Sequence, residues 1–248
     1  DYCKYIRRKI VMQNILWEPT SYHYKESNLA KFISFINSNY NQDIKNYDEL
    51  YDWSIDNISF FWESVSLFCD IKFSKPPNSI YSKRDSFINT KWFDGAKLNF
   101  SENLLKYRDE SIAIEYFCEN KIKGQITYKE LFCKVTDCAN YLQSLGVKQG
   151  DRVAGFMPNI PETVIAMLAA SSIGAVWSSC SPDFGTSGVL DRFSQINPKV
   201  LFVSDGYFYK GKEINLSSKI NQIIKSLPTI KKIICAKVIG ASNIDNCI

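Results

Sequence analysis

The chain has 248 residues, 45% hydrophobic and 14% aromatic, which is enough apolar surface for a folded core and too much for a disordered chain. Its formal net charge is only +4, and Arg7-Arg8-Lys9 is its one tight basic triplet, so a nucleic-acid-binding surface is not expected. No apolar run reaches membrane-spanning length, no secretory segment is evident and the eight cysteines include no C-x-x-C pair, so the expectation is a cytoplasmic protein with reduced thiols and no membrane partner.

Up to about Leu105 the pattern is helix and loop. Ser27 can cap a helix whose apolar positions Leu29, Phe32, Ile33 and Ile36 follow helical spacing. Between Tyr47 and Phe68, residues Leu50, Trp53, Ile58, Phe61, Trp62, Val65 and Phe68 recur mostly three or four apart. That stripe predicts one or two helices packing an aromatic face. Pro76-Pro77 and the polar residues to Thr90 then predict a surface loop crossing to the next unit.

From Ser111 the texture changes. Ile112–Ile114 predicts a strand, and Gln125–Tyr128 a second one with Lys123-Gly124 as its turn. Thr127-x-x-Glu130 is a capping box opening a helix with Leu131, Val135, Cys138, Leu142 and Leu145 on one face, ended by Gly146. Strands over 151–157, 175–179, 199–204 and 230–236 then alternate with helices from Pro161 to about Ile173 and over 187–196 and 216–227. The helix over 162–173 is apolar almost all round and should lie deep. Such alternation predicts an α/β fold with a mainly parallel, doubly wound sheet and helices on both faces.

Several catalytic signatures are missing. The sequence has no G-x-G-x-x-G and no G-x-S-x-G; Gly206 to Lys212 has phosphate-loop spacing, but Glu213 stands where a hydroxyl is required. The single histidine, His23, lies in a polar stretch and reads as a surface residue, so neither a zinc site nor histidine catalysis is expected. Two segments follow strands, at the end of the sheet where ligands gather: Ser178 to Gly185, small and polar, and Asp205 to Lys212, with two tyrosines, two lysines and two glycines. Each reads either as a plain surface turn or as a holder for a nucleotide ring and a phosphate.

Several segments in order resemble the adenylate-forming acyl-CoA synthetase superfamily. Trp92-Phe93-Asp94-Gly95-Ala96-Lys97-Leu98-Asn99-Phe100-Ser101-Glu102-Asn103-Leu104-Leu105 is similar to that superfamily's W-F-x-G-x-x-L-N-x-A-E-N-x-L signature. Gly150-Asp151-Arg152-Val153, Met157-Pro158-Asn159-Ile160-Pro161-Glu162 and the run from Met167 to Ala175 match further segments. Trp177 to Gly185, Asp191-Arg192-Phe193, Gln195-Ile196-x-Pro198-Lys199, and Trp53-Ser54 with Phe61-Trp62 resemble the acetoacetyl-CoA synthetase branch.

That resemblance implies residues 1–105 as a helical N-terminal extension and 106–248 as the N-terminal part of an AMP-binding domain. It implies an acetoacetate–CoA ligase that uses ATP, Mg2+ and coenzyme A to make acetoacetyl-CoA, AMP and pyrophosphate. The superfamily's Ser/Thr/Gly-rich ATP-phosphate loop and the lysine of its mobile C-terminal domain match nothing here, so the expectation is a truncated, inactive portion with no catalytic or metal-binding residue. What carries over is part of the coenzyme A site: Ser181, Pro182 and Asp183 bordering the adenine, Ile214 packing on the ring, and Tyr209 and Lys212 toward the 3′-phosphate, where the related acetyl-CoA synthetases use arginines. A ligase for another short acid and a non-catalytic coenzyme A or nucleotide-binding module remain open readings.

Overall fold

A computed structural model describes residues 16–119, 121–241, 244, 245 and 247; Cys3 and the triplet Arg7-Arg8-Lys9 lie outside the described residues. Two units divide the chain. One takes the chain up to Ile71 together with Lys75–Ala96, and the other Lys72–Ser74 with the chain from Lys97 onward.

The first unit is built on helices α1 (Ser21–Glu26), α2 (Asn28–Tyr40), α3 (Tyr47–Asp56) and α4 (Ile58–Phe68). Ser27 caps α2 as its position predicts, accepting a bond from the Ala30 N–H at 3.2 Å. The aromatic stretch breaks into two helices at Asn57. Its face is core: Phe32, Ile36, Ile44 and Leu50 are buried, with Trp53, Phe61 and Phe68 packed against them. His23 is exposed and sits in the first turn of α1, its Nδ1 paired with the Thr20 hydroxyl at 2.8 Å.

The stretch expected to be loop differs. It holds one strand, β1 (Ser79–Ser82), which pairs antiparallel with β2 (Lys91–Asp94) just beyond the stretch, with Tyr81 directly opposite Trp92 and their rings 4.9 Å apart. Strands of four residues are too short for alternation to show in a sequence; one cross-strand aromatic pair supplies the contact instead.

The second unit contains α5 (Phe100–Leu104), the antiparallel pair β3 (Ile112–Cys118) and β4 (Ile122–Thr127), and α6 (Tyr128–Ser144). The capping box forms: Glu130 N donates to Thr127 Oγ1 at 3.2 Å, and Thr127 N to Glu130 Oε2 at 2.8 Å. The β3–β4 turn falls between Cys118 and Ile122, not at Lys123-Gly124, which lies within β4. Gly124 is inside β4 because Tyr116 lies across it: a Cβ there would stand 2.5 Å from the Tyr116 hydroxyl. The glycine marks a close approach rather than a bend.

The central sheet is parallel, in the order β10-β7-β5-β6, formed by β5 (Arg152–Phe156), β6 (Val176–Cys180), β7 (Val200–Ser204) and β10 (Lys232–Ala236). Between these strands run α7 (Pro161–Ser172), α8 (Thr186–Ile196), a hairpin of β8 (Gly206–Tyr209) and β9 (Lys212–Asn215), and α9 (Ser217–Ser226). Strand residues feed two cores alternately. Val153, Val200 and Phe202 join α6 and α7 residues on one face, while Ala154, Phe156, Leu201 and Val203 join α8 and α9 residues on the other. The sheet is doubly wound, as the alternation of elements predicts.

Many family-motif residues prove to be fasteners. Asn99 caps α5, accepting from Glu102 N at 3.1 Å, while its amide donates to the Ser171 and Ser172 carbonyls at the end of α7, each at 3.1 Å. The buried Ser101 hydroxyl donates to the Leu168 carbonyl at 2.7 Å, tying the same two helices. Arg152 Nε donates to the Ile196 carbonyl at 2.7 Å, closing the C-terminus of α8. Asp151 pairs with Lys199 at 2.9 Å and accepts from Lys148 N at 2.8 Å; those two contacts hold its carboxyl below the usual carboxylate range.

No described helix is long and apolar enough to cross a membrane. The described cysteines form no disulfide, and burial pushes Cys138 up to about 11 and, aided by Cys247, Cys235 up to about 12.

Two predictions follow from this packing. Phe193 is fully buried in the α8 and α9 core, so Phe193→Ala should lower the unfolding free energy by about 3–5 kcal/mol in urea titrations, whereas Phe117→Ala on the exposed side of β3 should change it by no more than about 0.5 kcal/mol. The lowered Asp151 carboxyl stabilises the fold above the ordinary carboxylate pKa, and that contribution is lost as pH falls through the lowered value; Asp151→Asn should therefore flatten the acid limb of a pH–stability curve.

Candidate functional site

In a doubly wound sheet, ligands bind beyond the carboxyl ends of the strands, where the strand order reverses. Here β6 and β7 lie on opposite sides of β5, so the segments leaving β6 and β7 flank that point. They are the two segments expected from the sequence, and the structure joins them.

The first, after β6, is a tight polar turn. The Ser181 hydroxyl donates to Asp183 Oδ2 at 3.0 Å, and the Asp183 N–H donates back to Ser181 Oγ at 3.3 Å. Pro182 is buried. From α9, the Lys219 ammonium donates to the Pro182 carbonyl at 2.9 Å and the Phe184 carbonyl at 3.0 Å, holding the turn from beneath. The Arg192 guanidinium lies over the Phe184 ring, 4.3 Å from its centroid.

The second segment is not a loop but the β8–β9 hairpin. Lys210 and Gly211 both take left-handed backbone, with φ of 51° and 74°, and make a two-residue turn whose twist suits paired strands. Tyr207 is directly opposite Ile214, and Tyr209 opposite Lys212, so all four share one face. This geometry is not the strand–loop–helix of a phosphate loop, and the Gly206-to-Lys212 spacing carries no such meaning. Gly206 starts the hairpin beneath Ile239; a Cβ there would meet that side chain and stand 2.5 Å from the Ile214 carbonyl.

Tyr207 closes the site. Its hydroxyl donates to Asp183 Oδ1 at 2.9 Å, so each carboxylate oxygen of Asp183 accepts from a hydroxyl. Burial, and then the Asp183 carboxylate, push the Tyr207 phenol above its ordinary value. Ser181 and Asp183 are thus joined to the hairpin face that carries Tyr209, Lys212 and Ile214. Tyr209 and Lys212 are exposed, and Ile214 is half-buried.

Two residues receive no role of their own from the sequence: Tyr207, although it lies inside the second segment, and Lys219. Tyr207 could have been found from the alternation out of Gly206 and the two-residue Lys-Gly turn, which put it on the Tyr209 face. Lys219 gives no sequence signal, since only the fold brings α9 under the turn.

The arrangement offers aromatic and aliphatic surface for a flat ring and the Lys212 ammonium for a phosphate, and the Lys210 ammonium lies 5.2 Å from the Tyr209 ring centroid. Among the described residues, no group of three or more His, Cys, Asp and Glu side chains is placed to hold a metal ion.

Comparison with known proteins fixes the family. The model of AMP-binding enzymes matches residues 100–246. The chain belongs to the AMP-binding enzyme family. Residues 47–104 match the model of the acetyl-coenzyme A synthetase N-terminus. The acetoacetyl-CoA synthetase of Macaca fascicularis is 39% identical over 231 residues, 92% of this chain and 34% of that protein. The acetoacetyl-coenzyme A synthetase of Rhizobium meliloti (strain 1021) is 39% identical over 217 residues, 87% of this chain and 33% of that protein. The solved structure of acetoacetyl-CoA synthetase from Streptomyces lividans superposes with a TM-score of 0.87 at 35% identity, covering 95% of this chain and 37% of that one. This member of the AMP-binding family spans about a third of the length of the curated relatives it matches.

Two variants test the site's construction. Gly206→Ala should destabilise the fold by about 1–3 kcal/mol in urea titrations, because the added methyl group enters filled space. Tyr207→Phe should speed amide hydrogen exchange over residues 181–184 severalfold, which corresponds to losing about 1 kcal/mol of hydrogen bonding between hairpin and turn.

Proposed function

We propose that this chain contributes the coenzyme A nucleotide-holding part of an acetoacetate–CoA ligase, working in the cytoplasm on acetoacetate, ATP with Mg2+, and coenzyme A. In this reading residues 1–105 are the helical extension of such enzymes and 106–248 the first part of the AMP-binding domain. The observation that carries it is the bond from Tyr207 to Asp183, which unites the two segments that the resemblance assigns to coenzyme A. Support also comes from the acetoacetyl-CoA synthetases to which the chain is similar.

In the proposed site, Ile214 packs on the adenine, the Ser181–Asp183 turn borders it, and Tyr209 and Lys212 face the 3′-phosphate. Asp183 poses less of a barrier to that phosphate than a bare carboxylate would, since both its oxygens already accept hydroxyl hydrogens. Coenzyme A brings the thiol that receives the acyl group; the residues described here bind and orient its far end. None is assigned a catalytic step.

Calorimetric titration tests this reading. The chain should bind coenzyme A about five- to tenfold more tightly than dephospho-coenzyme A, the difference being one lysine–phosphate contact. Lys212→Ala should abolish the difference and Lys212→Arg should keep it. Equal affinity for the two ligands in the unaltered chain would overturn the role given to Lys212. ATP–pyrophosphate exchange with acetoacetate should be absent in these 248 residues, which hold no match to the ATP-phosphate loop.

A further inference from the structure

The tip of the β8–β9 hairpin is held by a residue 91 positions away. Lys210 N donates to Glu119 Oε1 at 2.8 Å, and Gly211 N donates to Glu119 Oε2 at 2.7 Å. Two consecutive left-handed residues turn their N–H groups toward one spot, forming a small anion-binding concavity. At a free hairpin tip those donors face water; here one carboxylate takes both. The Gly211 and then the Lys210 bond hold that carboxyl below its ordinary value. Glu119 itself adopts φ 46° in the β3–β4 turn, a backbone state that non-glycine residues seldom take.

Each strand of this hairpin has four residues, and β8 and β9 pair only with each other. A two-stranded ribbon of that size is marginal by itself. Its root is fixed beneath Ile239 and through the Tyr207–Asp183 bond, while Tyr209 and Lys212 adjoin the tip. Those are the two groups assigned to the phosphate. A lysine that must be recruited from a moving tip binds less tightly than one already in place.

We propose that Glu119 is a positioning residue for the coenzyme A 3′-phosphate: by latching the turn amides of Lys210 and Gly211, it presets Tyr209 and Lys212. This rests on the coenzyme A reading above. It places a contribution to ligand affinity in the β3–β4 turn, a segment to which no sequence motif draws attention.

The experiment pairs Glu119→Ala and Glu119→Gln with calorimetric titration of coenzyme A and dephospho-coenzyme A, and with amide hydrogen exchange at Lys210 and Gly211. Exchange at both amides should rise in Glu119→Ala. Coenzyme A affinity should fall about fivefold while dephospho-coenzyme A affinity stays within about twofold, since preorganisation matters only to the ligand that uses the lysine. Glu119→Gln, with one acceptor oxygen left, should fall between. A general loss of structure would weaken both ligands alike and would overturn the proposal. So would unchanged coenzyme A binding in Glu119→Ala, or tighter binding, which would make Glu119 a competitor for the phosphate. If the unaltered chain binds coenzyme A but the variants match it, only the latch fails; if the unaltered chain binds no coenzyme A, the reading beneath it fails too.

Discussion

A parallel strand with neighbours on both edges has no polar side to offer, so both of its faces must be covered at once. β5 and β7 are such strands here; β6 and β7 flank β5, in which Val153, Ala154, Gly155 and Phe156 are all buried. Covering both faces requires the helices to be dealt alternately above and below. That places β6 and β7 on opposite sides of β5 and leaves their outgoing segments as neighbours at one end. The candidate site is a consequence of this arrangement. Nothing in the turn at Ser181–Asp183 or in the hairpin has to find its counterpart alone.

The residues that make the family visible are largely not those that would touch a ligand. Asn99 and Ser101 bind carbonyls of α7, Arg152 binds the end of α8, and Asp151 with Lys199 ties neighbouring loops. Each adds a side-chain bond where a helix end or a loop has fewer backbone partners to offer, a demand that a buried scaffold makes at fixed places. The residues assigned to the ligand are more ordinary in type: a serine, a proline, an aspartate, a tyrosine, a lysine and an isoleucine. Identity of fold is therefore written more strongly in this chain than identity of ligand.

The physics of each element explains how far the sequence could be read. The Thr127–Glu130 box and the apolar helix after Pro161 are local features, and each formed as its residues predict. The Gly206–Asn215 hairpin was legible in principle, yet its glycines and lysines drew the eye to phosphate binding instead of to strand alternation. The Tyr81–Trp92 pair was not legible, because the stabilising contact lies across strands that are too short to show a period. Lys219 and Glu119 lie farther out of reach. Their partners are backbone groups 35 or more residues away, and a backbone amide has no signature in the sequence. The set of Ser181, Pro182, Asp183, Tyr209, Lys212 and Ile214 rests on resemblance and turn position. The bond that unites it, from Tyr207, came from geometry.

The hairpin also limits how this surface can change over time. Tyr207, Tyr209, Lys212 and Ile214 share a face only because side chains alternate with a period of two. Losing or gaining one residue in either strand would turn part of the set to the opposite side, whereas a change of two would keep the facing and merely shift reach. Length variation here should be tolerated in even steps, and drift in ligand preference should arise by substitution on the retained face, with Phe208 and Glu213 free to follow other demands on the reverse.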